Sequence, residues 1–343
     1  MNQPFLEGFT YELTAPGILQ RRPERIDLDH IPPKSIVAQT VFSVLSPGTE
    51  CAAWLGKPPL RPSKVYPRVL GYCNVARVVA VGSDVVGITP GNHILTHQCH
   101  RSVFCCDASK ALLVCPSSLS HASQQRMAAS YLYHISYMSL IDGGYRPGYE
   151  AAVIGFGALG FTAASLVSAY GGRPLVFSSR PPLRDGPGFI PHARFYEKMG
   201  DDTVVAPGSM GGVDLVINTS DSWDDYALGL RLARRGGTIA LVGFPGRGLP
   251  PAPHNPLDSQ FFYDKALHVF QVAHDFELDV PAIDVRFTLK RNLEHIFGLL
   301  EDGRLDPAPL ISTRFKSDEL AGALDLLATR RSEAKSALLE WPC

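Results

Sequence analysis

One stretch constrains this chain more than any other: "AAVIGFGALGFTAASL" (151–166), an apolar run followed at once by glycines spaced G-x-G-x-x-G. Gly155, Gly157 and Gly160 follow a strand of the kind buried on both faces and open a helix-forming stretch. In that setting each glycine has a task. The first makes a tight turn, the second lets backbone approach a pyrophosphate, and the third lets helix and strand pack closely. Phosphates then sit at the helix N-terminus, beside Ala158 and Leu159, where N–H groups and the helix dipole favour negative charge. The alternative is a structural turn with no ligand. Further short apolar runs follow: "PLVFS" (174–178), "TVVA" (203–206), "VDLVINT" (213–219), "TIALVGF" (238–244) and "LHVFQVA" (267–273). Their alternation with helical stretches implies a parallel, doubly wound sheet.

The second strand decides the cofactor. An NAD site places Asp or Glu at its end to hold the ribose 2′-hydroxyl. Here "PLVFSSRPPLR" puts Ser178, Ser179 and Arg180 there, with Arg184 close behind. Hydroxyls and a guanidinium hold a 2′-phosphate through charge-assisted hydrogen bonds, so NADP(H) is expected; the alternative is an ordinary exposed arginine. Thr219 and Ser220 after the fourth strand, and Gly243 and Phe244 after the fifth, lie at strand carboxyl ends, where ligands of open α/β sheets bind. These four are expected to border the nicotinamide, although "GFPGRG" is also compatible with a plain turn.

The first 120 or so residues read differently. "SIVAQTVFSVLS" (35–46) and "NVARVVAVGSDV" (74–85) are strand-like, and prolines as in "LGKPPLRPSKVYPRV" exclude helix interior. Helical spacing begins near residue 122 and returns in "LKRNLEHIFGLLEDG" and "SDELAGALDLLATRR", before a strand-like "SALLEW". With 32 Lys and Arg against 33 Asp and Glu, no basic surface for nucleic acid is indicated. No signal peptide or membrane helix is expected. The seven cysteines, an odd number without regular spacing, read as reduced thiols of a cytoplasmic protein.

Taken together, "SPGTE" (46–50), "VLGYCNVARVVAVGSDVVGITPGNHI" (69–94), "PGYEAAVIGFGALG" and "RRGGTIALVGF" make the chain resemble the medium-chain dehydrogenase/reductase superfamily along essentially its whole length. "SPGTE", "RLDPAPLIS" and "AKSALLEW" also look similar to its bacteriochlorophyllide 3-hydroxyethyl dehydrogenase branch. The resemblance implies an α/β fold with a GroES-like β domain (1–125 and 287–343) and a Rossmann doubly wound parallel sheet (126–286). It also implies a homodimer paired through "LHVFQVA".

Zinc members of the superfamily bind metal through a Cys in the first loop, the His and sometimes the Glu of Gly-His-Glu, and a later Cys, Asp or Glu. In this chain those positions hold Pro47, Tyr72 with Cys73, and a residue near Tyr131. They lack the imidazole and thiolate or carboxylate set that tetrahedral zinc needs, so no metal is expected. Cys99, Cys105, Cys106 and Cys115 lack the two-residue gaps of a structural zinc lobe and read as small buried hydrophobes.

Without zinc, a hydroxyl or imidazole must polarise a carbonyl and deliver a proton. Tyr72 or His134 is the expected donor, relayed by Thr49, with Glu50 and Tyr131 beside them. His134 lies three residues beyond Tyr131, on the same helical face. Other readings stay open: Tyr131, Tyr133 and Tyr137 as a packing stripe, His134 as a core histidine, and Thr49 with Glu50 as loop braces. The expected reaction interconverts a ketone and a secondary alcohol on a sugar-like, aminoglycoside-like or other natural-product intermediate. Acidic residues in "TSDSWDDY", with Asp258 and Asp264, either favour a cationic or polyhydroxylated substrate or form solvated surface. Rival readings are an enoyl or quinone reductase and a non-catalytic NADPH-binding protein.

Overall fold

The computed structural model describes residues 4–60, 65–184, 186, 188–198, 212–272, 280–329 and 334–342. It divides into two units, Met1–Tyr131 with Phe276–Gly303 and Leu310–Cys343, and Leu132–Asp275 with Arg304–Pro309. The first division falls inside one continuous helix, where the sequence suggested a boundary just after residue 125.

The first unit begins with a long hairpin, β1 (Phe5–Ala15) against β2 (Ile18–Asp27). Gly17 at its tip has φ +71°, a conformation that side chains beyond glycine adopt at a cost. The central strand is β3 (Ser35–Val44), and it leads into helix α1 (Pro47–Trp54). The sequence suggested a loop at "SPGTE". The chain is helical there because Ser46 stands at the N-cap and Pro47 occupies the first turn, where its fixed φ suits the helix and its missing N–H is not needed.

Strands β4 (Arg68–Val69), β5 (Asn74–Val81), β6 (His93–Thr96), β7 (Val103–Asp107) and β8 (Leu113–Cys115) follow, then α2 (His121–Asp142). β3 pairs antiparallel with both β5 and β7. Adjacent residues of a strand face opposite ways. Cys106 therefore packs against the Ile36, Val78 and Phe104 core, whereas Cys105 is exposed. Cys115 is half-buried, so of the four cysteines read as buried hydrophobes only Cys99 is fully so.

The second unit carries a six-stranded sheet: β9 (Ala151–Ile154), β10 (Leu175–Ser178), β11 (Arg194–Glu197), β12 (Val213–Asn218), β13 (Ala233–Leu241) and β14 (His268–Gln271). All neighbours are parallel, in the order β11-β10-β9-β12-β13-β14. Numbered within the sheet this is 3-2-1-4-5-6, the dinucleotide-binding order, with its reversal between β9 and β12. The third strand, β11, is half-exposed "RFYE", which no apolar run announces. The expected "TVVA" lies outside the described residues. Helices α3 (Ala158–Ala169), α4 (Trp223–Leu232) and α5 (Ser259–Lys265) complete the unit as described.

The chain then returns to the first unit through α6 (Leu289–Glu301), a single turn α7 (Ala308–Ile311), β15 (Thr313–Lys316), α8 (Leu320–Thr329) and β16 (Ala337–Glu340). β16 lies antiparallel on β3, with Leu338 opposite Val44 and Glu340 opposite Phe42. α8 packs on α1, where the Trp54 indole donates to Asp325 at 2.8 Å.

Helix α6 buries Leu289, Leu293, Ile296 and Leu300, one face at helical spacing, behind a Thr288 N-cap. Leu293 is fully buried, so Leu293→Ala is expected to lower stability by about 2–5 kcal/mol, read from urea unfolding midpoints. Among the described residues no helix is long and apolar enough to cross a membrane.

Candidate active site

The second unit realises the glycine turn in detail. Gly155 ends β9 with φ +89°, and a Cβ on it would lie 2.7 Å from the Thr219 hydroxyl. A Cβ on Gly160 would collide with the Gly155 carbonyl oxygen. Gly157 is the N-cap of α3, and a Cβ there would meet nothing of the protein. That open space lies where a ligand approaches the helix end. The first α-helical hydrogen bond runs from Phe161 N–H to the Gly157 carbonyl at 2.9 Å, so the N–H groups of Ala158, Leu159 and Gly160 lie ahead of the ladder. This arrangement fits a pyrophosphate.

Ser178 is the last residue of β10, and its hydroxyl oxygen accepts from Arg180 N–H at 3.0 Å, turning the chain there. Ser179, Arg180 and Arg184 are exposed. At the reversal point, Thr219 donates to the Ile154 carbonyl at 2.9 Å, so its hydroxyl braces β12 against β9. Ser220 accepts from Ser222 N–H at 3.2 Å, and the Gly243 backbone packs directly on the Ser220 carbonyl.

Phe244 lies under the guanidinium of Arg247, 4.1 Å from the ring centroid. Arg247 is buried although it belongs to a glycine-rich turn, a setting that reads as exposed loop in the sequence. Two of the acidic residues suspected of binding substrate are committed elsewhere. Asp225 pairs with Lys198 at 2.6 Å, and Asp258 caps α5 through Gln260 N–H at 2.9 Å.

In the first unit, Tyr72, Ser46, Thr49 and Glu50 come together around the start of α1. Tyr72 donates its hydroxyl hydrogen to the Ser46 oxygen. Burial, with Cys73 and Glu50 beside it, pushes the Tyr72 phenol well above its ordinary 10.0, while hydrogen bonds with Ser46 and Thr49 oppose the shift. Burial and the Glu50 carboxylate likewise push up the Cys73 thiol.

Glu50 is 1% exposed. One carboxylate oxygen accepts from Ser46 N–H at 2.7 Å, and the other lies 2.8 Å from His100 Nε2. The Tyr131 ring stands edge-on to Tyr72 at 5.6 Å between centroids and to His97 at 4.6 Å. His134 is buried and belongs to the second unit. Tyr133 bonds the Asp306 carbonyl at 3.0 Å, and Tyr137 packs on Tyr170, so the three helix tyrosines form no single stripe.

Ser46, Ser43 and His100 were not singled out from the sequence. His100 stands 50 positions from Glu50 and packs against Gly71. That residue has φ +95°, and its Cβ would lie 2.8 Å from the His100 ring. No group of three His, Cys, Asp or Glu side chains among the described residues could hold a metal ion.

This two-unit fold is shared with solved dehydrogenases. L-idonate 5-dehydrogenase from Escherichia coli superposes with TM-score 0.77 at 14% identity, covering 98% of this chain and 99% of that one. 2R,3R-butanediol dehydrogenase from Bacillus subtilis gives 0.75 at 16% identity, over 98% and 100%. Acetophenone reductase from Geotrichum candidum, in complex with NAD, gives 0.72 at 13% identity, over 99% and 98%.

The chain therefore has the GroES-like plus Rossmann fold of the medium-chain dehydrogenases. By sequence, 169 residues are 31% identical to 2-desacetyl-2-hydroxyethyl bacteriochlorophyllide A dehydrogenase from Rhodobacter capsulatus, 45% of this chain and 51% of that protein. The chain thus spans about half the length of the curated relative it matches. No family model matches the chain.

Proposed function

We propose that the chain is an NADPH-dependent, zinc-independent oxidoreductase that reduces a ketone to a secondary alcohol. The observation that carries this reading is the Tyr72 hydroxyl, held on Ser46 and kept protonated by its surroundings. A phenol whose ionisation is disfavoured is in its protonated form at neutral pH, the form that can donate to a carbonyl oxygen, which suits reduction. The donor set speaks against zinc: where the metal ligands of relatives stand, Pro47 offers no donor atom, the Tyr72 hydroxyl is engaged, and the Cys73 thiol resists ionisation.

The bound nicotinamide would supply the hydride, held at Gly155, Gly157 and Gly160 with its phosphates at Ala158 and Leu159. With substrate in place the Tyr72 hydrogen turns from the Ser46 oxygen to the carbonyl oxygen and is given up as charge develops there. The Ser46 hydroxyl donates to the phenol in its place. The hydroxyls of Ser46 and Thr49 lead a replacement proton to the phenol. Ser178, Ser179, Arg180 and Arg184 are assigned to the 2′-phosphate. The curated relative is named for acting on a hydroxyethyl substituent, which supports a secondary alcohol or ketone on a larger natural-product skeleton. With Asp225 and Asp258 committed to other partners, support for a cationic amino sugar recedes.

The same reading makes the protein a cytoplasmic homodimer, joined through β14. The six described cysteines are free thiols, and β14 stands at the sheet edge among the described strands.

The test is parallel fluorescence titration with NADPH and NADH, then a panel of ketones, conjugated alkenes and quinones. NADPH is expected to bind at least about tenfold more tightly, roughly 1.4 kcal/mol, with ketones turned over. Turnover of alkenes or quinones alone would replace the reading with an enoyl or quinone reductase. Binding without any turnover would make the protein a non-catalytic cofactor binder. Arg180→Ala is expected to weaken NADPH about tenfold and NADH little; equal losses would remove its 2′-phosphate role.

A further inference from the structure

Behind Tyr72 lies a line of buried polar side chains that the chemistry above leaves unused. His100 is fully buried, with Nε2 2.8 Å from Glu50 and Nδ1 2.9 Å from the Ser43 hydroxyl. Ser43 in turn lies 2.9 Å from the indole nitrogen of Trp341. We propose that His100 is a positioning residue for the proton donor, gripping from one side the turn that holds Ser46 and from the other the backbone that carries Tyr72. The inference rests on the reading of Tyr72 as donor.

The first grip runs through Glu50. A serine at an N-cap ordinarily turns its hydroxyl onto the first turn of its own helix. Ser46 makes no such bond. Glu50 reaches back instead to the Ser46 N–H, and the hydroxyl is left to receive Tyr72. A carboxylate buried this deeply needs its partners. Without His100, Glu50 would lose the partner that fixes its second oxygen, and the carboxylate that braces the Ser46 turn would no longer be held in place.

The second grip is direct. His100 N–H donates to the Leu70 carbonyl at 2.8 Å, and the imidazole packs on Gly71, so one residue fixes the two positions before Tyr72.

The donors set the protonation pattern. An indole N–H only donates, so Ser43 oxygen accepts from Trp341. Ser43 can in turn donate to Nδ1, and the 2.8 Å contact with the Glu50 carboxylate places an imidazole proton on Nε2. That arrangement gives every bond one donor and one acceptor, whereas a lone pair on Nε2 would be set against the carboxylate.

The test uses the full-length protein with NADPH and acetophenone, or the best ketone of the panel. His100→Leu is expected to lower kcat about 100-fold while KM and NADPH affinity stay within about twofold, because misplacing the donor slows the proton step alone. His100→Gln, which keeps an N–H for Glu50, is expected to recover to within about tenfold of wild type. In a Tyr72→Phe background His100→Leu should cost little more, since both changes remove one interaction.

Multiplying effects, or a lowered melting temperature with kcat intact, would overturn the proposal. If His100→Leu does not fold, Ser43→Ala and His100→Gln carry the same comparison. Histidine 15N spectra give a readout independent of turnover: a slowly exchanging Nε2–H and an acceptor-type Nδ1 are expected. A wild type that reduces no ketone would sink the function reading. The absence of a proton on Nε2 would by itself overturn the grip on Glu50.

Discussion

Tyr72→Phe is expected to lower kcat for ketone reduction by about 10²- to 10⁴-fold, the range that a positioned general acid contributes. NADPH affinity should be unchanged, because the hydroxyl belongs to the first unit and the glycine turn to the second. Ring contacts survive the change: phenylalanine keeps the edge-on packing against Tyr131. The loss is therefore chemical rather than structural, and equal melting temperatures would show it.

The pH profile sharpens the prediction. An ordinary tyrosine begins to lose its proton near 10.0, but burial holds this one above that value. The folded pKa lies above the unfolded one, so the phenol stays protonated through the alkaline range; its share of stability is fully present below 10.0 and is lost as pH rises from there toward the raised folded value. Wild-type reduction should show no alkaline limb from Tyr72 approaching 10.0. An intact kcat in Tyr72→Phe would shift the search to His134.

Gly160→Val should abolish cofactor binding outright. Even a Cβ at Gly160 runs into the Gly155 carbonyl and crowds the Thr219 hydroxyl at 3.2 Å, and both neighbours are rigid. Relief requires α3 to move off β9, which displaces the helix N-terminus that receives the pyrophosphate. The expected result is no fluorescence change with either NADPH or NADH, together with a stability loss of about 1–3 kcal/mol from overpacking. Gly157→Ala offers the contrast. Its Cβ meets no protein atom, so the fold should be untouched while affinity falls. If Gly157→Ala binds NADPH as wild type does, the pyrophosphate does not sit at this turn.

The second unit was legible in the sequence because its signals are local. Strands β9, β10 and β12 are continuous apolar runs buried on both faces, and the glycines that follow β9 are read within a few positions. What the sequence hid was non-local or non-periodic. β11 is an edge strand with half-exposed side chains, so it carries no apolar run. Thr219 stood at the expected strand end, yet its hydroxyl is consumed in bracing.

The first unit's site was only half legible. Tyr72 and Glu50 stood out by their place in the resemblance, but His100, Ser43 and Trp341 meet through pairing of strands distant in the chain. A histidine beside a cysteine in "THQCH" gives no hint that it will be buried on a glycine some 30 positions earlier.

One consequence concerns the order of folding. β7 pairs with the first half of β3, but Phe42, Ser43 and Val44 wait for β16, nearly 300 positions later, whereas the second unit closes over a nearly continuous segment. During synthesis that continuous segment has all its sheet strands before β16 exists, and domains generally fold as units while the chain emerges. The N-terminal strands must meanwhile persist with that short stretch of β3 edge unpaired, a feature that recruits neighbouring chains. Nascent chains stalled before residue 337 should therefore be the aggregation-prone species, and a chaperone would be needed most in that interval.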